Sequence, residues 1–239
     1  MPAGKPSADM NDRANSLAQI LRRLSVASSE RAKTGLPIVD VRLLAVSKTR
    51  TAADVRALAA LGQHAFGENY VQEAIAKQRE LSDPGLEWHL IGHLQSNKVR
   101  DAAAAFDWVQ SVDRIKLVAA LARARPPQQP PLNVLIQVNI DDEASKSGCR
   151  PEDVLTLADA IVAEPRLLLR GLMAIPAPDP DMQRRSAAFR ALKGLFDALD
   201  DRHPNLDTLS MGMSEDFELA IAEGASLVRI GTALFGARG

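Results

Sequence analysis

The chain contains one cysteine, Cys149, so no internal disulfide can brace it, and a reducing compartment suits it. Cys149 follows Gly148 in a polar stretch with no histidine nearby in sequence. It therefore reads as a free loop thiol and not as a nucleophile. Charge of one sign is also missing. The chain carries 29 basic and 30 acidic residues, a formal net charge of -1, which gives no general attraction to nucleic acid or to anionic membranes. No apolar run approaches the roughly 18 residues of a membrane span. Met1 to Met10 lack the apolar core of a signal peptide. They are expected to form a disordered tail, residues 1–10, on a cytoplasmic protein. The four histidines do not cluster with metal-ligand spacing, so no metal is expected.

What is present is an alternation of two periods. Short runs rich in Val, Ile and Leu are followed by longer stretches with helical spacing. After a helix expected near Asp12 to Thr34, the strand candidates are Arg42 to Ser47, His64 to Gly67, Trp88 to Ile91, Trp108 to Ser111, Asn133 to Asn139, Leu168 to Ala174, Thr208 to Met211 and Leu227 to Gly231. After the first strand, Thr51 is placed as an N-cap with Asp54 three residues on. Val55, Leu58 and Leu61 then mark an apolar face, and Gly62 a left-handed stop. After the seventh strand a helix is expected to start at Ser214, with Glu215 and Asp216 in its first turn. Eight such units predict an α/β fold, a single-domain (β/α)₈ barrel of the TIM type over residues 11–239 with an extra N-terminal helix. An open doubly wound sheet would carry a glycine-rich loop after its first strand. Ser47-Lys48-Thr49 stands there instead. The proline-rich stretches Pro126 to Pro131 and Pro176 to Pro180 fall between units and read as loops.

Barrel enzymes place their chemistry where strands end. Lys48 directly follows the first strand, at the rim of the barrel mouth. Partial desolvation there would free its amine for imine formation. On spacing alone, the plainer reading of a solvated strand-end lysine stands ahead of this one. Strand eight ends Val228-Arg229-Ile230-Gly231-Thr232. Gly231 permits close backbone approach and the amides after it can face an anion, or Gly231 serves only tight packing. Ser214 offers a hydroxyl to the same anion, or caps its own helix. His89 is another possible base, but a lone strand histidine reads first as a hydrogen-bonded core residue. Lys98 and Lys146 read as surface lysines, with a role as alternative aldehyde acceptors left open.

A resemblance joins these signals. Ala45-Val46-Ser47-Lys48-Thr49, Phe66-Gly67-Glu68-Asn69-Tyr70-Val71-Gln72-Glu73 and Trp88-His89-Leu90-Ile91-Gly92-His93-Leu94-Gln95-Ser96-Asn97-Lys98 are similar to segments of the pyridoxal 5′-phosphate (PLP) homeostasis proteins, single-domain relatives of the alanine racemase barrel. So are Ser145-Lys146-Ser147-Gly148-Cys149, Ser210-Met211-Gly212-Met213-Ser214 and Val228-Arg229-Ile230-Gly231-Thr232. The likeness runs in order from Arg42 to Gly236. It implies that Lys48 forms a Schiff base with PLP and that Ser214, Gly231 and Thr232 take the phosphate. It further implies that Arg229 faces the pyridine nitrogen and that Asn69 lies near the ring. Ala174-Ile175-Pro176 departs from the pattern, where a threonine often follows the methionine. His93 receives no role.

The resemblance implies a reservoir or carrier in intracellular PLP homeostasis, with apo PLP-dependent enzymes as recipients and a monomer or weak dimer as the assembly. No residue is assigned a catalytic role. An arginine cannot supply the carboxylate that keeps a PLP ring nitrogen protonated, so the electron sink should be weak. The chain ends shortly after strand eight, where the racemases continue into a β-rich domain bearing a second acid/base. Tyr70, the sole tyrosine, is not placed to replace it. A weak PLP-dependent amino-acid racemase is the alternative.

Overall fold

The computed structural model describes residues 8–33, 40–81, 85–141, 147–177, 179–203 and 206–236. Eight strands close into a parallel barrel in chain order: β1 Arg42–Val46, β2 Ala65–Glu68, β3 Glu87–Leu90, β4 Trp108–Val112, β5 Leu132–Gln137, β6 Leu167–Met173, β7 Thr208–Ser210 and β8 Leu227–Ile230. Every residue of β4 and β8 is buried. That is why the strands read as near-continuous apolar runs: one face meets the barrel interior and the other the helix layer. All eight expected strands are present, with ends shifted by one or two residues.

Among the described residues the strands are accompanied by nine α-helices: α1 Ala8–Lys33, α2 Ala52–Ala59, α3 Val71–Leu81, α4 Val99–Ala105, α5 Ile115–Ala124, α6 Val154–Val162, α7 Met182–Asp200, α8 Phe217–Ala222 and α9 Thr232–Phe235. The extra helix α1 buries Leu17, Ile20 and Leu24, at helical spacing, and packs on α8 and α9. Ala8 to Met10 of the expected tail belong to this helix, while residues 1–7 and Thr34 lie outside the described residues. Among the described residues no helix is long and apolar enough to cross a membrane.

Two layers of core result. The larger lies between strands and helices. Inside the barrel, Leu44, Ile91 and Leu227 form one small apolar group and Trp108, Leu135 and Met173 another. The first of these groups draws on β1, β8 and the residue just beyond β3. Its members share the period-two parity that brings Val46, Lys48 and Arg229 to the interior.

The local signals after β1 hold. Thr51 accepts from the Asp54 amide while the Asp54 carboxylate accepts from the Thr51 amide at 2.8 Å. Gly62 adopts φ +94° beyond the helix. Thr51→Ala removes one half of this reciprocal cap and should lower stability by about 1 kcal/mol. Urea denaturation checks this, with Thr51→Ser expected to stay near wild type. Equal midpoints for Thr51→Ala and wild type would show that the cap contributes nothing.

Candidate functional site

The carboxyl ends of the strands open onto one cavity of about 800 Å³, and Lys48, Asn69, Ser214, Arg229, Gly231 and Thr232 all line it. Each arrives by a local rule. Lys48 continues the parity of Leu44 and Val46 beyond the end of β1. Asn69 follows β2 and is held by a close approach. A Cβ at position 92 would lie 2.2 Å from the Asn69 carbonyl oxygen, so the turn after β3 fits only because Gly92 has no side chain. Gly231 serves packing as well as access, since its Cβ would meet the Val46 carbonyl at 3.3 Å. The amides of Leu234 and Phe235 return to the Gly231 carbonyl at 2.9 and 3.0 Å. The amides of Thr232 and Ala233 stay outside the α9 ladder.

Ser214 requires a correction. It does not start a helix, because α8 begins at Phe217. Residues 214–216 form a turn instead: the amides of Asp216 and Phe217 return to the Met213 carbonyl at 3.1 and 2.9 Å, and the Asp216 carboxylate accepts from the Met213 amide at 2.7 Å. The Ser214 hydroxyl has no hydrogen-bond partner among the described residues and borders the cavity.

Arg229 is 3% exposed. It donates to the Ser210 hydroxyl at 2.7 Å and to the Ala174 carbonyl at 2.8 Å. No carboxylate lies within ion-pair distance of it among the described residues. Burial lowers its pKa to about 10, with the Asp216 charge pulling the other way, so it is cationic at neutral pH. From Ser210 a chain of bonds crosses the barrel. Ser210 Oγ donates to Gln110 Oε1 at 2.7 Å, Gln110 Nε2 meets His89 Nδ1 at 2.9 Å, and His89 Nε2 meets Glu87 Oε1 at 2.7 Å. Arginine only donates and a carboxylate only accepts. These two ends fix every bond between them, so Gln110 donates to Nδ1 and a neutral His89 donates from Nε2. Burial pushes the imidazole toward that neutral form. His89 is a core histidine, stacked on Trp108 at 5.1 Å.

Several neighbours are new. His93, Gln137, Ser147, Arg185 and Asp216 share the cavity wall. His93 Nδ1 stands 3.3 Å from Ser147 Oγ and 3.9 Å from the Asp113 carboxylate. Its sequence signal was available, since it continues the interior parity of His89 and Ile91. Arg185 on α7 and Ser147 come from distant segments and gave no such signal. Lys98 ends a 3₁₀ turn, Ser96–Lys98, away from the cavity wall. Lys146 lies outside the described residues. Cys149 is not an open loop thiol. It is buried, its amide donates to the Gln137 carbonyl at 2.8 Å, and its carbonyl accepts from Asn139 at 2.9 Å. Burial, with the nearby Asp153 and Asp113 charges, pushes the thiol up to about 12.

Residues 27–239 match the model of the alanine racemase N-terminal domain. The chain is 53% identical to the pyridoxal phosphate homeostasis protein of Pseudomonas aeruginosa over 229 residues, 96% of this chain and 97% of that one. The solved structure of PipY from Synechococcus elongatus PCC7942 with PLP bound is 38% identical, with a TM-score of 0.79 over 94% of this chain and all of that one. An alanine racemase from Clostridium difficile 630 is 15% identical, with a TM-score of 0.68 over 91% of this chain and 57% of that one. That last likeness concerns the fold alone.

Gln110→Leu cuts the core chain and strands the Ser210 hydroxyl and the His89 Nδ1. Unpaired buried groups cost about 1–3 kcal/mol each, so a marked drop in the urea midpoint is expected; an unchanged midpoint would contradict the chain. Cys149 supplies a pH test. Between pH 9 and about 12 the unfolded chain releases a thiol proton that the folded state keeps, so stability falls as pH rises through that window. Cys149→Ala should shallow this fall in denaturation curves taken across it. An equally steep fall in the variant would exclude the thiol as its source.

Proposed function

The chain belongs to the family of the alanine racemase N-terminal domain, and from that premise we propose that it binds PLP in the cavity at the barrel mouth and serves intracellular PLP homeostasis as a reservoir or carrier, supplying apo PLP-dependent enzymes. One observation supports this most. Among the described residues, a buried guanidinium without an ionic partner, a hydroxyl without a hydrogen-bond partner and a primary amine border one cavity. Such a donor set fits an anionic, aldehyde-bearing aromatic ligand. When bound, PLP supplies an aldehyde that a primary amine takes up reversibly and a ring that draws electrons from an attached amino acid.

Lys48 would hold the ligand through its amine. Ser214, Gly231 and Thr232 would hold the phosphate, with the Thr232 and Ala233 amides as added donors. Asn69 would lie beside the ring and Arg229 opposite its nitrogen. Arg229 would offer that nitrogen a hydrogen bond and could not act as the carboxylate partner that keeps it protonated. This disfavours carbanion chemistry and favours storage and release. Tyr70 is 63% exposed and off the cavity wall, so it supplies no acid/base there. A weak PLP-dependent amino-acid racemase is the second reading, on the ground that the His93 imidazole stands in the cavity wall. Steady alanine racemisation abolished by His93→Ala would favour that reading.

The binding test is mass spectrometry after PLP loading and borohydride reduction. Wild type should gain one reduced PLP adduct, mapped to the peptide holding Lys48, and Lys48→Ala should gain none there. An adduct of equal yield in the variant would refute the Lys48 assignment.

A further inference from the structure

Beside Lys48 lies a cluster of charges that the proposed binding set leaves unused. Glu68, the last residue of β2, has a fully buried side chain, and Lys77 on α3 is 6% exposed. Glu73, one turn before Lys77, is 25% exposed. The Lys77 ammonium uses all three protons: toward the Ser47 carbonyl at 2.6 Å, Glu68 Oε1 at 2.7 Å and Glu73 Oε1 at 2.8 Å. Glu68 Oε1 also accepts from the Ser47 hydroxyl at 2.6 Å. Glu73 Oε1 accepts from the Thr49 amide.

The peptide groups on both sides of Lys48 are thus tied to one helix. Between those ties the chain turns sharply, with the Arg50 amide returning to the Ser47 carbonyl at 3.0 Å. Thr49 sits in that turn at φ +63°, the one non-glycine residue with positive φ among the described residues. A turn position of this kind normally takes glycine or asparagine, so a β-branched residue there is strained and must be held by its surroundings. Stability is a poor explanation for the cluster. Stripping water from buried ions offsets most of their mutual attraction, and Glu68 Oε2 has no hydrogen-bond partner among the described residues. Its product is geometry.

We propose that Glu73 and Lys77, with Glu68 between them and the strand end, are positioning residues that hold the Ser47–Arg50 turn so that Lys48 enters the cavity at a fixed point and direction. The proposal rests on the reading of Lys48 as the PLP lysine and deepens it. With its backbone fixed on both sides, Lys48 keeps only side-chain torsions to order when ligand binds, so much of the ordering cost is met at folding.

Glu73 gives the cleanest test, because it lies at the exposed edge of the cluster. Glu73→Ala removes the acceptor of the Thr49 amide. Glu73→Gln loses the charge but keeps an oxygen that can accept from both Thr49 and Lys77. Both variants remove the ion pair, and Glu73→Ala, which also strands the Thr49 amide, should lower the melting temperature of the ligand-free protein further. With PLP the two should part in affinity as well. Glu73→Ala should bind about five- to tenfold more weakly and show an altered induced circular dichroism of bound PLP, while Glu73→Gln stays close to wild type in both. Wild-type affinity and dichroism in Glu73→Ala, or equal damage in Glu73→Gln, would overturn the proposal. Lys48→Ala is measured beside them. If it keeps wild-type affinity, the premise fails and this inference falls with it, a result distinct from failure of Glu73 alone.

Discussion

The ladder between β8 and β1 closes the barrel, and the arrangement at its mouth depends on it. Arg42 to Ala45 pair in register with Leu227 to Ile230, with Leu44 opposite Arg229. That register brings Lys48, beyond the end of β1, to the same cavity wall as Gly231 and Thr232, beyond the end of β8. The first and last strands of the chain thereby bring an amine and an anion cradle to one cavity, although 183 residues separate Lys48 from Gly231 in the numbering. A one-residue slip of β1 against β8 would turn Lys48 away from the cavity that Arg229 faces, because side chains alternate faces with a period of two.

The interior combines two buried polar systems with different physical logic. From Arg229 to Glu87 the members are mostly neutral and each donates to the next, so the chain is satisfied along its length with charge only at its ends. Burial raises the Glu87 carboxyl, but the His89 bond, first among the opposing causes, brings it down to about 2. The system around Lys77 is ionic and leaves one carboxylate oxygen without a partner. The first orients a guanidinium at the cavity and the second anchors the backbone beside an amine. Both place polar atoms that an apolar core could not orient.

The parts legible in the sequence were those governed by nearby residues. The Thr51–Asp54 cap and the Gly62 stop need only a few consecutive positions, and both read correctly. The strands were legible because burial on both faces makes many of them, such as Arg42–Val46 and Leu132–Gln137, predominantly apolar runs. Ser214 misled because the Asp216 and Phe217 amides close a turn on the Met213 carbonyl, and sequence order does not say how many residues that turn takes before its helix begins. Lys77 and Gln110 were illegible for a different reason. Lysine on a helix and glutamine in a strand are ordinary residues until the barrel closes and their partners arrive from other strands, such as Ser210, 100 residues from Gln110. Recognition of the six cavity residues came from motif resemblance, and period-two parity adds the reason that Lys48 and Arg229 face the same space.

The central claim is that one cavity holds PLP between Lys48 and the β8 cradle, with Arg229 at the ring nitrogen. The most direct measurement is a crystal structure of the protein loaded with PLP. The account predicts ligand density continuous with Lys48 Nζ, a phosphate within hydrogen-bond distance of Ser214 and Thr232, and the Arg229 guanidinium at the pyridine nitrogen. PLP bound elsewhere, or in this cavity with its phosphate toward Arg229 and its aldehyde away from Lys48, would contradict it.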